Sequence, residues 1–149
     1  KGGFYRDMAT SLRELGTGES AALAADALAE TILASHAKKR PREQWAMFEM
    51  ARLVAEVETA VALAHKAARD SSPSKDLLMA SARLHGGGAA RDVAVTGLRL
   101  LRASDRYSED EVASYRDSIA FDQIMETSAG ELEQMNLVAN ALEAQTTSA

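Results

Sequence analysis

The segment Arg83-Leu-His-Gly-Gly-Gly-Ala-Ala-Arg-Asp92 sets a histidine against three consecutive glycines, ahead of a helix-forming stretch. A glycine-rich loop at a helix N-terminus can bind phosphate, because bare backbone N–H groups converge on the anion and the helix dipole favours negative charge. An adjacent imidazole could then move a proton. Neither phosphate motif is complete here. Gly86-Gly-Gly88 runs into Ala-Ala-Arg rather than Lys-Ser/Thr, so the P-loop cation and its metal-binding hydroxyl are missing. No strand-like run precedes the glycines, which removes the dinucleotide-binding context. What remains is a break between two helices or a close-packed stretch within one. Each interior glycine costs a helix about 1 kcal/mol relative to alanine, so the triplet predicts a weakened or broken helix.

The other chemistry-bearing residues are sparse. A di-iron bundle needs Glu-x-x-His on inward-facing helices. Here the residues three before His36, His65 and His85 are Leu33, Ala62 and Ala82. No metal site is expected, and the histidines read as surface or core-edge groups. The chain has no cysteine, which excludes a disulfide framework, a thiolate metal site and a cysteine nucleophile. That is in keeping with a reducing cytoplasm.

The elements that must carry these residues are helical. In 149 residues, 46% are apolar but only 5% aromatic, so the core is built from Ala, Leu, Val and Met. Helix formers dominate and prolines are two, which predicts an all-α, up-and-down helical bundle. Helices are expected near 4–15, 20–39, 42–69, 75–84 continuing into 89–103, 109–126 and 129–144. Ser71-Ser-Pro-Ser74 reads as a linker with a capping serine, and Ser108 to Glu111 as a capping box. The 42–69 helix carries Met47, Met50, Val54, Val57, Val61 and Ala64 at three- and four-residue steps, an apolar seam that Trp45, Phe48 and Leu53 are expected to widen. Residues 1–17 are expected to form an N-terminal segment, the end of an upstream region or a processed terminus, since the chain starts Lys1-Gly-Gly; 18–144 form the bundle and 145–149 a frayed tail.

A net charge of −5 argues against a nucleic-acid surface, and the basic run Lys38-Lys-Arg-Pro-Arg42 reads as a solvated helix end. No apolar run is long enough to span a bilayer, so no membrane partner is expected.

Two segments resemble the C-terminal helical domain of the acyl-CoA dehydrogenase family. Gln44-Trp-Ala-Met-Phe-Glu-Met-Ala-Arg-Leu-Val-Ala-Glu-Val-Glu58 is similar to the family's Gln-led helix with its later Phe, Leu-Ala pair and Glu-x-Glu end. Tyr115-Arg-Asp-Ser-Ile-Ala-Phe-Asp-Gln-Ile-Met-Glu126 is similar to the family's Tyr-Arg-Asp-Ala segment leading to Gln-Ile-Tyr-Glu-Gly-Thr. The spacing between Ala82-Arg83 and Leu98-Arg-Leu100 is kept, and Arg106-Tyr-Ser-Glu-Asp-Glu111 matches the loop that follows. The resemblance covers roughly residues 18–135.

The resemblance implies a bundle that oligomerises and shares FAD with other domains in α,β-dehydrogenation of an acyl-CoA thioester. It puts Glu126 at the catalytic base, by way of a one-residue insertion after Asp117; gapless counting puts Met125 there instead. Arg40 and Arg102 fall at the FAD-contact positions, Arg40 in place of an Arg-x-x-Phe-Gly segment. The family's Leu-His-Gly-Gly aligns with Leu100-Leu-Arg-Ala103, so His85 and its glycines sit where the family has ordinary helix. Three readings follow. The chain is the C-terminal domain or small subunit of such a flavin-dependent oxidoreductase, in a homo-oligomer or a larger flavoprotein with acyl-CoA as substrate; or a non-catalytic helical interaction subunit that has lost FAD; or an unrelated alanine-rich bundle.

Overall fold

The computed structural model describes all residues except Lys1, Thr17, Arg40, Pro41, Arg42, Ser104, Ser148 and Ala149, with the side chains of Gln145 and Thr147 also outside it. Among the described residues every regular element is a helix: α1 (Gly3–Glu14), α2 (Glu19–Ala37), α3 (Gln44–Arg69), α4 (Lys75–Arg102), α5 (Glu109–Ser118), α6 (Phe121–Glu126) and α7 (Glu131–Thr147). The α1 residues Tyr5, Ala9 and Leu12 lie in the same core as the rest. No helix among the described residues is long and apolar enough to cross a membrane.

Helix α2 is the axis. Ala21 to Ala25 and Ala27 to Ala29 are all buried, so it is apolar almost all round, as a helix enclosed by others must be. It packs against α1, α3 and α4. Because its surface is mostly alanine, neighbouring backbones can come close.

The expected break at the glycine triplet does not occur: α4 runs uninterrupted from Lys75 to Arg102. Gly86 is buried where α2 crosses, and a Cβ placed on it would sit 2.8 Å from the Ala21 amide nitrogen. About three turns further along α4, Gly97 leaves the space that the Tyr115 ring end fills, with Cζ 2.9 Å from where a Cβ would stand. The missing side chains let helices interlock, and that contact offsets the propensity cost that predicted a break.

Two other expectations change. The α3 seam holds from Leu53 onward, with Leu53, Val57, Val61 and Ala64 buried and Met50 and Val54 half-buried. Its first turns do not follow: Trp45 is 41% exposed, Met47 50% and Phe48 62%. The buried direction there is that of Ala46, and Phe48, two positions on, points about 160° away from it. Helix 109–126 is instead split in two at Ala120, whose φ is 53°. The left-handed residue tightens the end of α5 and turns the chain so that Tyr115, Ile119 and Ile124 are all buried.

Local signals fared better. The Ser108–Glu111 capping box is complete: the Ser108 Oγ accepts from the Glu111 amide at 3.2 Å, and the Glu111 carboxylate accepts from the Ser108 amide at 2.8 Å. The 70–74 turn is closed by Ser72 rather than Ser74, its hydroxyl donating to Asp70 at 2.6 Å and accepting from the Ser74 amide at 3.2 Å. Helix α7 continues through the expected tail to Thr147.

The glycines make a direct test. Gly86→Ala is expected to lower unfolding stability by about 1–3 kcal/mol through overpacking against α2. Gly88→Ala, with nothing within 4 Å of its Cβ position, is expected to raise it by about 1 kcal/mol. Urea unfolding of both variants decides it; shifts of the same sign would remove the packing explanation.

Candidate functional site

Helix α6 ends at Glu126, whose side chain is exposed. The chain then turns through Thr127 to Gly130 into α7. The turn is tied to α4: Arg91 donates to the Thr127 hydroxyl at 3.0 Å and pairs with Glu131. Thr127 in turn donates to the Ile124 carbonyl at 2.6 Å. Gly87 leaves the room for this cluster, since a Cβ there would stand 3.3 Å from both Arg91 Nη1 and Thr127 Oγ1. Beside the turn lies an open cleft of about 360 Å³ bordered by Leu23, Leu84, Arg83, Thr127, Glu131 and Gln134. Its charges are mixed in sign; Ser20 and Glu19 also line it, while the Thr127 hydroxyl and the Glu131 carboxylate are committed to Arg91.

Arg102 ends α4, with its side chain 66% exposed and its Nη2 4.0 Å from the Glu109 carboxylate. It borders a shallow depression of about 410 Å³ with Leu98, Glu109, Val112, Arg116 and Phe121. Arg116 is engaged there, pairing with Asp122 at 2.7 Å and lying 4.9 Å over the Phe121 ring. Glu126 lines neither this depression nor the cleft at the α6–α7 turn. Arg40 lies outside the described residues. Ala103 follows Arg102, and the Glu109 carboxylate faces it.

Among the histidines, His36 is exposed, while His65 and His85 are half-buried, each with one ring nitrogen buried and unpartnered. No group of histidines and carboxylates capable of holding a metal exists among the described residues.

Two polar clusters had no signal that sequence spacing alone could assign. Arg52 on α3 gathers Glu49 and Glu56, each at 3.1 Å, pairs with Asp92 on α4, and reaches the Thr96 hydroxyl at 3.4 Å. Arg99 adds a second tie to Glu49 at 3.1 Å and lies 5.6 Å over the Trp45 ring. Partial burial pushes the Asp92 carboxyl up, but hydrogen bonds from Arg52 outweigh it and hold Asp92 below its usual range; burial and the neighbouring Asp92 push Glu56 up. The guanidinium occupies the space between the three carboxylates, so the network joins α3 to α4. The i,i+4 spacings of Arg52 with Glu56 and of Asp92 with Thr96 were visible, but not that they face each other.

The second cluster is buried. Thr31 donates to the Ala27 carbonyl at 2.7 Å, which uses its only proton, so the Tyr115 hydroxyl, 2.7 Å away, is the donor between the two. Burial pushes the Tyr115 phenol up to about 12. Tyr5, donating to Glu58 at 3.0 Å, is also pushed up to about 12, by burial first and then by that carboxylate. Both phenols titrate higher in the folded chain than the ordinary value of 10. Their neutral forms therefore contribute stability that is fully present below pH 10 and lost as pH rises toward 12. Chemical unfolding across that window is expected to show a falling stability whose slope becomes shallower in Tyr115→Phe and in Tyr5→Phe. An unchanged slope in both would mean other groups dominate.

Arg91→Ala is expected to speed amide exchange in α7 while leaving α2 and α4 protected, because the tie between α4 and the α6–α7 turn is lost. Uniform loss of protection would instead make Arg91 a determinant of the whole bundle.

Comparison with protein-family models, with curated proteins and with solved structures finds no match to this chain.

Proposed function

We propose that this chain is a non-catalytic helical interaction subunit, acting through protein surfaces rather than through a reaction centre. The observation that carries this reading is the start of α3, where Trp45 and Phe48, three positions apart on one side of the helix, are both exposed and Met47 is exposed beside Phe48. Large apolar groups clustered on a surface mark contacts with other chains more often than solvent-facing positions. The polar side chains of Thr127, Arg91, Arg52 and Tyr115 support the same reading, since each is engaged with a neighbouring element.

A second reading, from the acyl-CoA dehydrogenase resemblance, keeps Glu126 as the base and Arg40 and Arg102 as flavin contacts in an assembly with other domains. The exposed carboxylate of Glu126 favours it, because a substrate carried by another domain would meet it unobstructed.

A photo-crosslinking phenylalanine analogue at position 48, expressed in the cell of origin, is expected to give discrete adducts with another chain. The same analogue at exposed Glu14 is expected to give none. Absence of adducts at position 48 would overturn the interaction reading. Trp45, the only tryptophan, reports on added FAD: no quenching is expected, and saturable quenching weakened by Arg102→Ala would transfer support to the second reading.

A further inference from the structure

Helix α7 is held differently from the rest of the bundle. Helices α1 to α6 each place at least one side chain in the buried core, down to Ile124 of the short α6. No described side chain of α7 is buried; Glu131, Gln134, Val138 and Ala141 are half-buried at helical spacing, on the side packed against α4. No other helix makes a comparable contact with α7. Glu131 meets Arg91, and Gln134 shares the cleft with Arg83 and Leu84, so α7 runs back along α4 toward Lys75. A helix draws most of its stability in a protein from such packing. By that measure α7 is the least anchored element.

Its root is built as a hinge with a latch. Upstream, the fully buried Ile124 fixes α6. The turn that follows is closed by short-range bonds, from the Ala129 amide to the Glu126 carbonyl at 3.0 Å and from the Glu131 amide to the Ser128 carbonyl at 3.2 Å. Gly130 has a φ of 80° and nothing within 4 Å of its Cβ position, so glycine serves backbone conformation there rather than packing. Across to α4, Arg91 grips both ends of the turn, donating to the Thr127 hydroxyl at 3.0 Å and pairing with Glu131. The two charged side chains are 25% and 21% exposed, so solvent screens them less than a pair on open surface.

We propose that α7 is a strap that leaves α4 and returns as one unit, turning on residues 127–130 with Arg91 as its latch, and that its position gates the cleft beside the turn. That cleft is shared between Glu131 and Gln134 of α7, Leu23 of α2 and Leu84 of α4. When the latch opens, the α7 wall moves away in one piece and the Leu84 side admits larger molecules. Elements that move in this way are drawn from the least stable part of a structure, where few apolar groups are buried. The strap stands apart from the α3 cluster and does not depend on the interaction reading.

The absence of cysteine lets thiols serve as reporters. Three single variants of the full chain are treated with a maleimide: Val138→Cys on the docked side of α7, Leu84→Cys in the cleft, and Val57→Cys in α3, at a position that is 0% exposed. Below the urea transition, Val57→Cys is expected to react only through global unfolding, with the full urea dependence of that transition. Val138→Cys is expected to react through undocking, roughly tenfold faster or more, with a much smaller urea dependence. Arg91→Ala is expected to speed Val138→Cys and Leu84→Cys roughly tenfold, through loss of the latch. Gly130→Ala, which strains the docked turn and leaves the latch in place, is expected to speed them roughly fivefold. Equal rates and urea dependences at positions 138 and 57 would make α7 part of one cooperative unit and end the strap proposal. A Val138→Cys rate that neither substitution moves would mean that the thiol reacts where it stands, which overturns it equally. If Val138→Cys accelerates but Leu84→Cys does not, the gating of the cleft is wrong.

Discussion

The backbone-to-backbone approach of α2 and α4 is the contact on which the other arrangements depend. Gly86 meets the Ala21 backbone with no side chain between, and the alanine surface of α2 continues that closeness along the axis. Small residues alone bury little apolar area, but at this separation the many weak dispersion contacts of two backbones add up. The same helix then places its neighbours. Gly97 admits the Tyr115 ring end, which reaches Thr31 and fixes α5; Gly87 admits the Arg91 cluster, which fixes the turn into α7. Three glycines on one helix therefore position three different elements, each by leaving out a side chain.

Polar side chains supply further ties between these helices: Arg91 to Thr127, Arg52 to Asp92, and Tyr115 to Thr31. The Arg52 network adds little net energy, since exposed ion pairs contribute about 0–1 kcal/mol each, but it fixes which faces of α3 and α4 meet. Beyond those groups, the features with no internal explanation include the exposed start of α3, the outer face of α7, and the buried unpartnered ring nitrogens of His65 and His85.

Much of the local structure was legible from residue order. Composition gave helices throughout, the capping box at Ser108 marked the start of α5, and the Pro73 linker separated α3 from α4. At His85 the glycines lie inside α4 rather than at a break. What was misread were the places where a local preference met a tertiary contact. Trp45 and Phe48 fit an apolar helical pattern, yet periodicity says only that residues share a stripe, not how wide the covering neighbour is. Ala120 has no propensity for a left-handed turn, and only the burial of Tyr115, Ile119 and Ile124 accounts for it.

By itself, then, the sequence determined that this chain is helical, where several helices start, and that it has no cysteine for thiol chemistry. These follow from propensities and side-chain inventories, which act within a few residues. The tertiary structure decided whether the glycine triplet breaks a helix or joins two, which charges pair across α3 and α4, and which apolar faces stay uncovered. Those outcomes turn on contacts between residues tens of positions apart, and a local bias of about 1 kcal/mol per glycine yields when a packed neighbour supplies more.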